Sequence, residues 1–209
     1  MKDFCAIVSG GTFSPLDEIE NAAFVIACDK GYAYAAQGGI VPDLFVGDCD
    51  SYTGSLPEAI PSLDLPKEKD DTDTMAAIRY AVQHGYREIV LYCALGGRLD
   101  HLLGNIQAAA FAVKHGARVK ITDQNNTLYL IQNAEITFPK RPGFSLSMLS
   151  VTDTCTQVTI RGAKYPLQDA TISNTFPIGV SNEWESDSVE ICVGSGILML
   201  IFSKMDYEA

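Results

Sequence analysis

Over the first half of the chain, short apolar runs alternate with helical periodicities. The runs at 4–8, 24–27, 44–46, 89–94 and 119–122 are almost free of charge and read as buried strands. A helix is predicted over 73–84, where Ala77, Ile78, Ala81 and Val82 form one apolar face. Thr72 or Asp71 can cap its start, and Gly85 can close its end. A second helix over 101–115 sets Leu102, Ile106, Ala109, Ala110 and Val113 inward and stops at Gly116. Strands alternating with helices in this way imply a parallel sheet covered by helices.

Past residue 125 the texture changes. Strand-like runs at 127–131, 135–138, 144–150, 157–161, 188–193 and 197–203 are separated by turn formers such as Pro139, Gly143, Gly162, Pro166 and Pro177. Gly194-Ser195-Gly196 reads as a hairpin turn between two of them. The expected fold is therefore an N-terminal α/β domain with a parallel sheet, residues 1–124, followed by a C-terminal antiparallel β-sandwich, residues 125–209.

At 209 residues and 47% hydrophobic content, the chain can bury a core without metal or disulfide staples. Its net charge of -11 argues against a nucleic-acid partner, which needs a cationic face. The six cysteines are scattered with no C-x-x-C pair, so they read as reduced and mostly buried. The first apolar stretch is too short for a signal peptide, and no run approaches the roughly 20 residues of a membrane span. A cytoplasmic protein is expected. His84, His101 and His115 have no zinc or triad spacing, and His84 and His115 fall at helix ends, where they complement the dipole.

Acidic residues recur just beyond the predicted strands, where open α/β sheets place their ligands. Asp29 follows the second run, Asp48 and Asp50 follow the third, and Asp100 follows the fourth. Asp70, Asp71 and Asp73 gather at the mouth of the first long helix. Asp48 and Asp50 share one side of an extended segment, while Asp70 and Asp73 share one side of a helical turn. Taken singly, each is a turn former or cap; together they supply hard oxygen ligands of the kind Mg²⁺ prefers. Gly10-Gly11 and Gly96-Gly97 can bring bare backbone to phosphate oxygens. Arg98 can clamp a transferring group or pair with Asp100. Neither a P-loop nor a dinucleotide fingerprint is present.

The stretch from Pro42 to Ser51 resembles the P-D-x-x-x-G-D-x-D-S motif of thiamine pyrophosphokinases. Further pieces agree in order. Ala27-Cys28-Asp29-Lys30-Gly31 is similar to that family's A-x-D-G-G, with Lys30 standing at its first glycine, where it offers a cation to a phosphate. Lys69-Asp70-Asp71-Thr72-Asp73 resembles K-D-x-T-D, and the segment from Gly96 to Asn105 resembles G-G-R-x-D-H-x-x-x-N. In the β half, Gly162 to Leu167 and Gly179 to Trp184 resemble G-x-K-Y-x-L and G-x-S-N.

The resemblance implies an α/β domain that binds ATP and Mg²⁺, a β-sandwich that helps to bind thiamine, and a homodimer with sites at the subunit interface. It casts Asp48, Asp73, Arg98 and Asp100 as catalytic, and Asp48, Asp50, Asp73 and Asp100 as metal ligands. Asp29, Lys30, Asp50, Asp70, Thr72, Gly96, Gly97 and Asn105 fall at the nucleotide, and Ser181 and Asn182 at thiamine. Trp184, the one tryptophan, either stacks on the cationic vitamin or packs in the core. The implied reaction moves the β,γ-pyrophosphate of ATP to the hydroxyl of thiamine, with Asp73 or Asp100 taking the proton. Rival readings are a pyrophosphokinase for a hydroxymethyl pterin, a metal-dependent phosphohydrolase, and a nucleotide- or vitamin-sensing module without turnover. Ser181-Asn182 and the full set of aspartates favour the first reading.

Overall fold

The computed structural model describes residues 4–47, 60–64 and 71–205. The chain divides into two compact units, residues 1–124 and 125–209. In the first, strands β1 (Cys5–Val8), β2 (Phe24–Cys28), β3 (Leu44–Gly47), β4 (Ser62–Asp64), β5 (Glu88–Tyr92) and β6 (Arg118–Thr122) form a parallel sheet in the order β6-β5-β1-β2-β3-β4. Every residue of β1 and β3 is buried, which is why these strands read as continuous apolar runs rather than alternating ones.

β1 sits between β2 and β5, with Val8 opposite both Ala27 and Tyr92. The chain therefore builds outward from β1 to β4 on one side, then returns to lay β5 and β6 on the other. Strand order reverses at β1, and the carboxyl ends of β1 and β5 mark the switch point, outside which open α/β sheets have their ligand crevice.

Helices α1 (Gly31–Gln37), α2 (Asp73–Gln83) and α3 (Leu99–Lys114) connect the strands. Thr72 is the cap of α2: its hydroxyl accepts from Met75 N–H at 3.2 Å. His84 closes the helix, with Nδ1 bonded to the Tyr80 carbonyl at 2.8 Å, and His115 does the same for α3 at the Phe111 carbonyl. Both histidines thus stay at the dipole ends where the sequence puts them.

The sequence pattern does not predict α1, because Lys30 gives it no capping side chain. Packing holds it instead. A Cβ on Gly31 would stand 2.0 Å from the Val8 carbonyl oxygen, so α1 begins against the end of β1 at a distance only glycine permits.

The second unit consists of β7 (Asn126–Ile131), β8 (Ala134–Pro139), β9 (Phe144–Ser150), β10 (Thr154–Arg161), β11 (Leu167–Ser173), β12 (Gly179–Asn182), β13 (Ser188–Val193) and β14 (Leu198–Lys204). They form two antiparallel sheets, β12-β9-β14-β7 and β11-β10-β13-β8. Leu146, Met148, Leu200 and Phe202 from one sheet share a single core with Val158, Ile160, Val189 and Ile191 from the other, which makes the unit a sandwich.

Gly194-Ser195-Gly196 is not a hairpin turn. β13 and β14 lie in different sheets, so this segment carries the chain across the sandwich and pairs Ser195 with Thr156. A Cβ on Gly196 would meet the Thr154 carbonyl at 2.3 Å, which accounts for the glycine there.

Cys5, Cys28, Cys93 and Cys155 are buried, and Cys192 is partly exposed. Burial, with a smaller contribution from Asp43, pushes the Cys5 thiol up to about 12. Cys49 lies outside the described residues. Among the described residues, no helix is long and apolar enough to cross a membrane.

Candidate active site

The crevice at the switch point is shaped by the loops that leave the strands. After β1 come Ser9, Gly10, Gly11 and Thr12, and backbone bonds tie them to the segment leaving β5. Ser9 N–H donates to Tyr92 O at 2.9 Å, Gly11 N–H to Cys93 O at 2.9 Å, and Thr12 N–H to Leu95 O at 3.4 Å. A Cβ on Gly11 would lie 2.5 Å from the Cys93 carbonyl, so the two loops approach as closely as bare backbone allows. Gly96 and Gly97 both take left-handed backbone, at φ 75 and 72, and a Cβ on Gly96 would stand 2.6 Å from Thr12 Oγ1. These glycines are exposed, and together they leave uncovered backbone along the rim of the crevice.

Asp29 follows β2 in a left-handed conformation, φ 47, with its N–H bonded to the Val46 carbonyl at 3.1 Å. Its Oδ1 lies 2.4 Å from the position a Gly47 Cβ would fill, so this carboxylate rests in the space left by that glycine at the end of β3. Asp73 opens α2 and is half-buried. Its carbonyl accepts from Cys28 Sγ at 3.7 Å, which ties the helix start to the end of β2. Asp29 and Asp73 therefore both stand beyond the carboxyl end of β2.

Arg98 and Asp100 form a two-pronged pair on the exposed rim: Nε to Oδ1 at 3.1 Å and Nη2 to Oδ2 at 2.6 Å. His101 N–H adds a bond to Oδ1 at 2.9 Å. The Arg98 hydrogen bonds hold the Asp100 carboxyl below the usual carboxylate range, and Asp100 raises the guanidinium in return. Lys30 is exposed beside Gly10, its ammonium 5.3 Å from the centre of the Tyr34 ring. Asp48, Asp50 and Asp70 lie outside the described residues.

Several residues expected at ligands have structural work. Thr72 spends its hydroxyl on the α2 cap. Asn105 is buried and donates from Nδ2 to the Ala94 carbonyl at 2.8 Å, so it acts on any ligand through the loop it holds. In the sandwich, Asn182 is also buried, accepting from the N–H groups of Tyr165 and Glu183 and donating to Tyr165 O at 2.8 Å. It staples the Gly162–Leu167 loop to β12. Trp184 is 7% exposed and stacked on Phe202 with centroids 5.5 Å apart. Of its two readings, core packing is the one the structure shows. Ser181 stays exposed at φ 60, its N–H on Ser147 Oγ at 3.0 Å.

Sequence reasoning missed Ser9, Thr12 and Thr74. Ser9 and Thr74 are buried and share a hydrogen bond, Oγ to Oγ1, of 3.0 Å. A signal was available, since Thr74 puts a hydroxyl on the helix face shared by Ala77, Ile78 and Ala81.

The donor chemistry fits a hard divalent cation. Asp29 and Asp73 offer carboxylate oxygens, Asp48 and Asp50 come directly after β3 in sequence, and Asp29 occupies a space that any side chain at position 47 would fill.

A parallel α/β unit with acidic residues and paired glycines at its switch point, followed in the chain by a β-sandwich, defines a phosphate-handling enzyme with an appended binding module. Comparison with known proteins gives the class its name. Residues 16–121 match the family model for the thiamin pyrophosphokinase catalytic domain, and residues 133–198 match the thiamin pyrophosphokinase vitamin B1 binding domain. The chain belongs to the thiamin pyrophosphokinase family. It is 28% identical to the curated thiamine pyrophosphokinase of Bacillus subtilis (strain 168) over 207 residues, covering 94% of this chain and 97% of that one. A crystal structure of the Bacillus subtilis enzyme superposes with a TM-score of 0.85 at 27% identity, over 98% of this chain and 100% of that one. Thiamin pyrophosphokinase from Geobacillus thermodenitrificans superposes with a TM-score of 0.83 at 28% identity, over 98% and 99%.

Proposed function

We propose that this chain transfers the β,γ-pyrophosphate of ATP to the hydroxyl of thiamine, giving thiamine pyrophosphate and AMP. The observation that carries the reading is the succession of the family's catalytic and vitamin-binding domains in one chain. Residues 1–124 act as the ATP- and Mg²⁺-binding catalytic domain, and residues 125–209 as the thiamine-binding and dimerisation domain.

In this reading the hydroxyl oxygen of thiamine bonds to the β-phosphorus while the bond from that phosphorus to the α,β-bridging oxygen breaks, and AMP leaves with that oxygen. Asp48, Asp50 and Asp73 would hold Mg²⁺, while Asp100, the fourth ligand that the family resemblance implies, is paired with Arg98. The ion supplies charge neutralisation on the phosphates when bound.

Arg98 meets the travelling phosphates, and Asp100 aims its guanidinium through the two-pronged bond. The hydroxyl proton goes to one of the two carboxylates, Asp73 or Asp100. Gly96 and Gly97 give their backbone to the nucleotide, and Lys30 adds a cation. Ser181 contacts thiamine from β12, and Asn182 shapes that surface by holding the Tyr165 backbone.

The chain works as a homodimer in the cytoplasm. The exposed side chains of Phe176, Ile178 and Val180, leading into and along edge strand β12, offer apolar surface for self-association.

The test is to incubate the protein with ATP, Mg²⁺ and thiamine and identify the nucleotide formed. AMP that appears only with thiamine is expected. Orthophosphate released without thiamine, or AMP formed equally with a hydroxymethyl pterin, would overturn the reading.

A further inference from the structure

Ser9 and Thr74 are joined by a bond that spans 65 positions of sequence and is buried at both ends: Ser9 is 2% exposed and Thr74 is 7% exposed. Their neighbours matter as much. Ser9 directly follows β1 and enters the Gly10-Gly11 loop, and its N–H is bonded to Tyr92 O. Its backbone also supports the start of α1, since a Cβ on Gly31 would stand 3.0 Å from the Ser9 carbonyl oxygen. Thr74 directly follows Asp73 in the first turn of α2.

The same turn makes other contacts among the described residues. The Thr72 cap is a bond within the turn and fixes nothing to the sheet. The contact from Cys28 Sγ to the Asp73 carbonyl is a weak thiol bond at 3.7 Å. The buried apolar side chains that seat α2 are Ala76, Ala77, Ile78 and Ala81, the first of them three positions after Asp73. At this end of α2, the bond between the Ser9 and Thr74 hydroxyls is a buried polar link to the segment that leaves the central strand.

We propose that Ser9 and Thr74 are positioning residues for Asp73. Their hydrogen bond fixes the first turn of α2 to the carboxyl end of β1, and so sets the place of the Asp73 carboxylate relative to the glycine loop. The inference rests on the reading of Asp73 as the group that serves the pyrophosphoryl transfer. A displacement of an ångström in a reacting group is enough to lower turnover strongly while leaving ground-state binding in place.

The experiment uses the full chain carrying Ser9→Ala, Thr74→Val, both together, Thr74→Ser and, separately, Asp73→Asn. Ser9→Ala and Thr74→Val are each expected to lower kcat by about tenfold or more with KM for ATP changed by less than about threefold. The double variant should lose no more than the worse single one, because both remove the same bond. Thr74→Ser, which keeps the hydroxyl, should recover most of kcat. In the ligand-free protein, amide exchange at Met75 and Ala76 should speed up in Ser9→Ala relative to Ala81 and Val82 in the same helix.

Should Thr74→Val fail to fold, Ser9→Ala read against Thr74→Ser decides the matter alone. Normal kcat and normal exchange in Ser9→Ala, while Asp73→Asn is inactive, overturns the positioning role and leaves the function intact. A drop in kcat that Thr74→Ser fails to recover also overturns it, since the effect then belongs to packing. Normal turnover in Asp73→Asn removes the reading of Asp73 itself.

Discussion

In the proposed reading Asp73 is the residue on which most of the chemistry converges; it stands half-buried at the start of α2, beyond the carboxyl end of β2. Asp73→Asn keeps the size and loses the charge. Turnover is expected to fall by at least about a hundredfold with the fold unchanged by circular dichroism. Near-normal turnover would remove Asp73 from the mechanism.

Arg98 and Asp100 give a pH prediction. Asp100 is depressed chiefly by the Arg98 hydrogen bonds, so on acidification it stays ionised until the pH falls through a value below the usual carboxylate range. Arg98→Ala should move that titration upward, as followed by the Asp100 carboxyl carbon resonance. An unchanged titration would show that the two side chains do not pair in solution.

Among elements, α1 is the most exacting. It has no side-chain cap, yet it meets the end of β1 with the Val8 carbonyl where a Cβ would be. Gly31→Ala must push helix and strand apart, and it should cost about 1–3 kcal/mol in denaturant unfolding. A cost near zero would mean that α1 docks more loosely than the structure shows.

The same element marks the limit of what the sequence makes legible. The buried strands and the two longer helices can be read because their periodicity and their caps or stops are written locally, as with Thr72, Gly85 and Gly116. α1 depends on a glycine meeting a carbonyl 23 positions earlier, a contact that no local pattern records. β11 and β12 are not legible because they are edge strands whose exposed polar residues blur the alternation. The candidate site divides similarly. Aspartates and glycine pairs at strand ends are visible as a pattern, whereas the work of Asn105, Asn182 and Trp184 is not. Whether a polar side chain faces a ligand or a neighbouring backbone carbonyl depends on tertiary packing.

For the whole molecule, a net charge of -11 and a reaction between two substrates carrying phosphate or positive charge frame the central question, which is what leaves ATP and where it goes. Self-association is a separate matter, answered by sedimentation: a dimer is expected, and Phe176→Ser with Ile178→Ser should shift it toward monomer if that surface takes part. The most direct measurement of the reaction uses ATP labelled on its terminal phosphate, with Mg²⁺ and thiamine present. The label should arrive intact in thiamine pyrophosphate while the AMP stays unlabelled. Label recovered as orthophosphate beside ADP, or its release at the same rate without thiamine, would contradict pyrophosphoryl transfer by this chain.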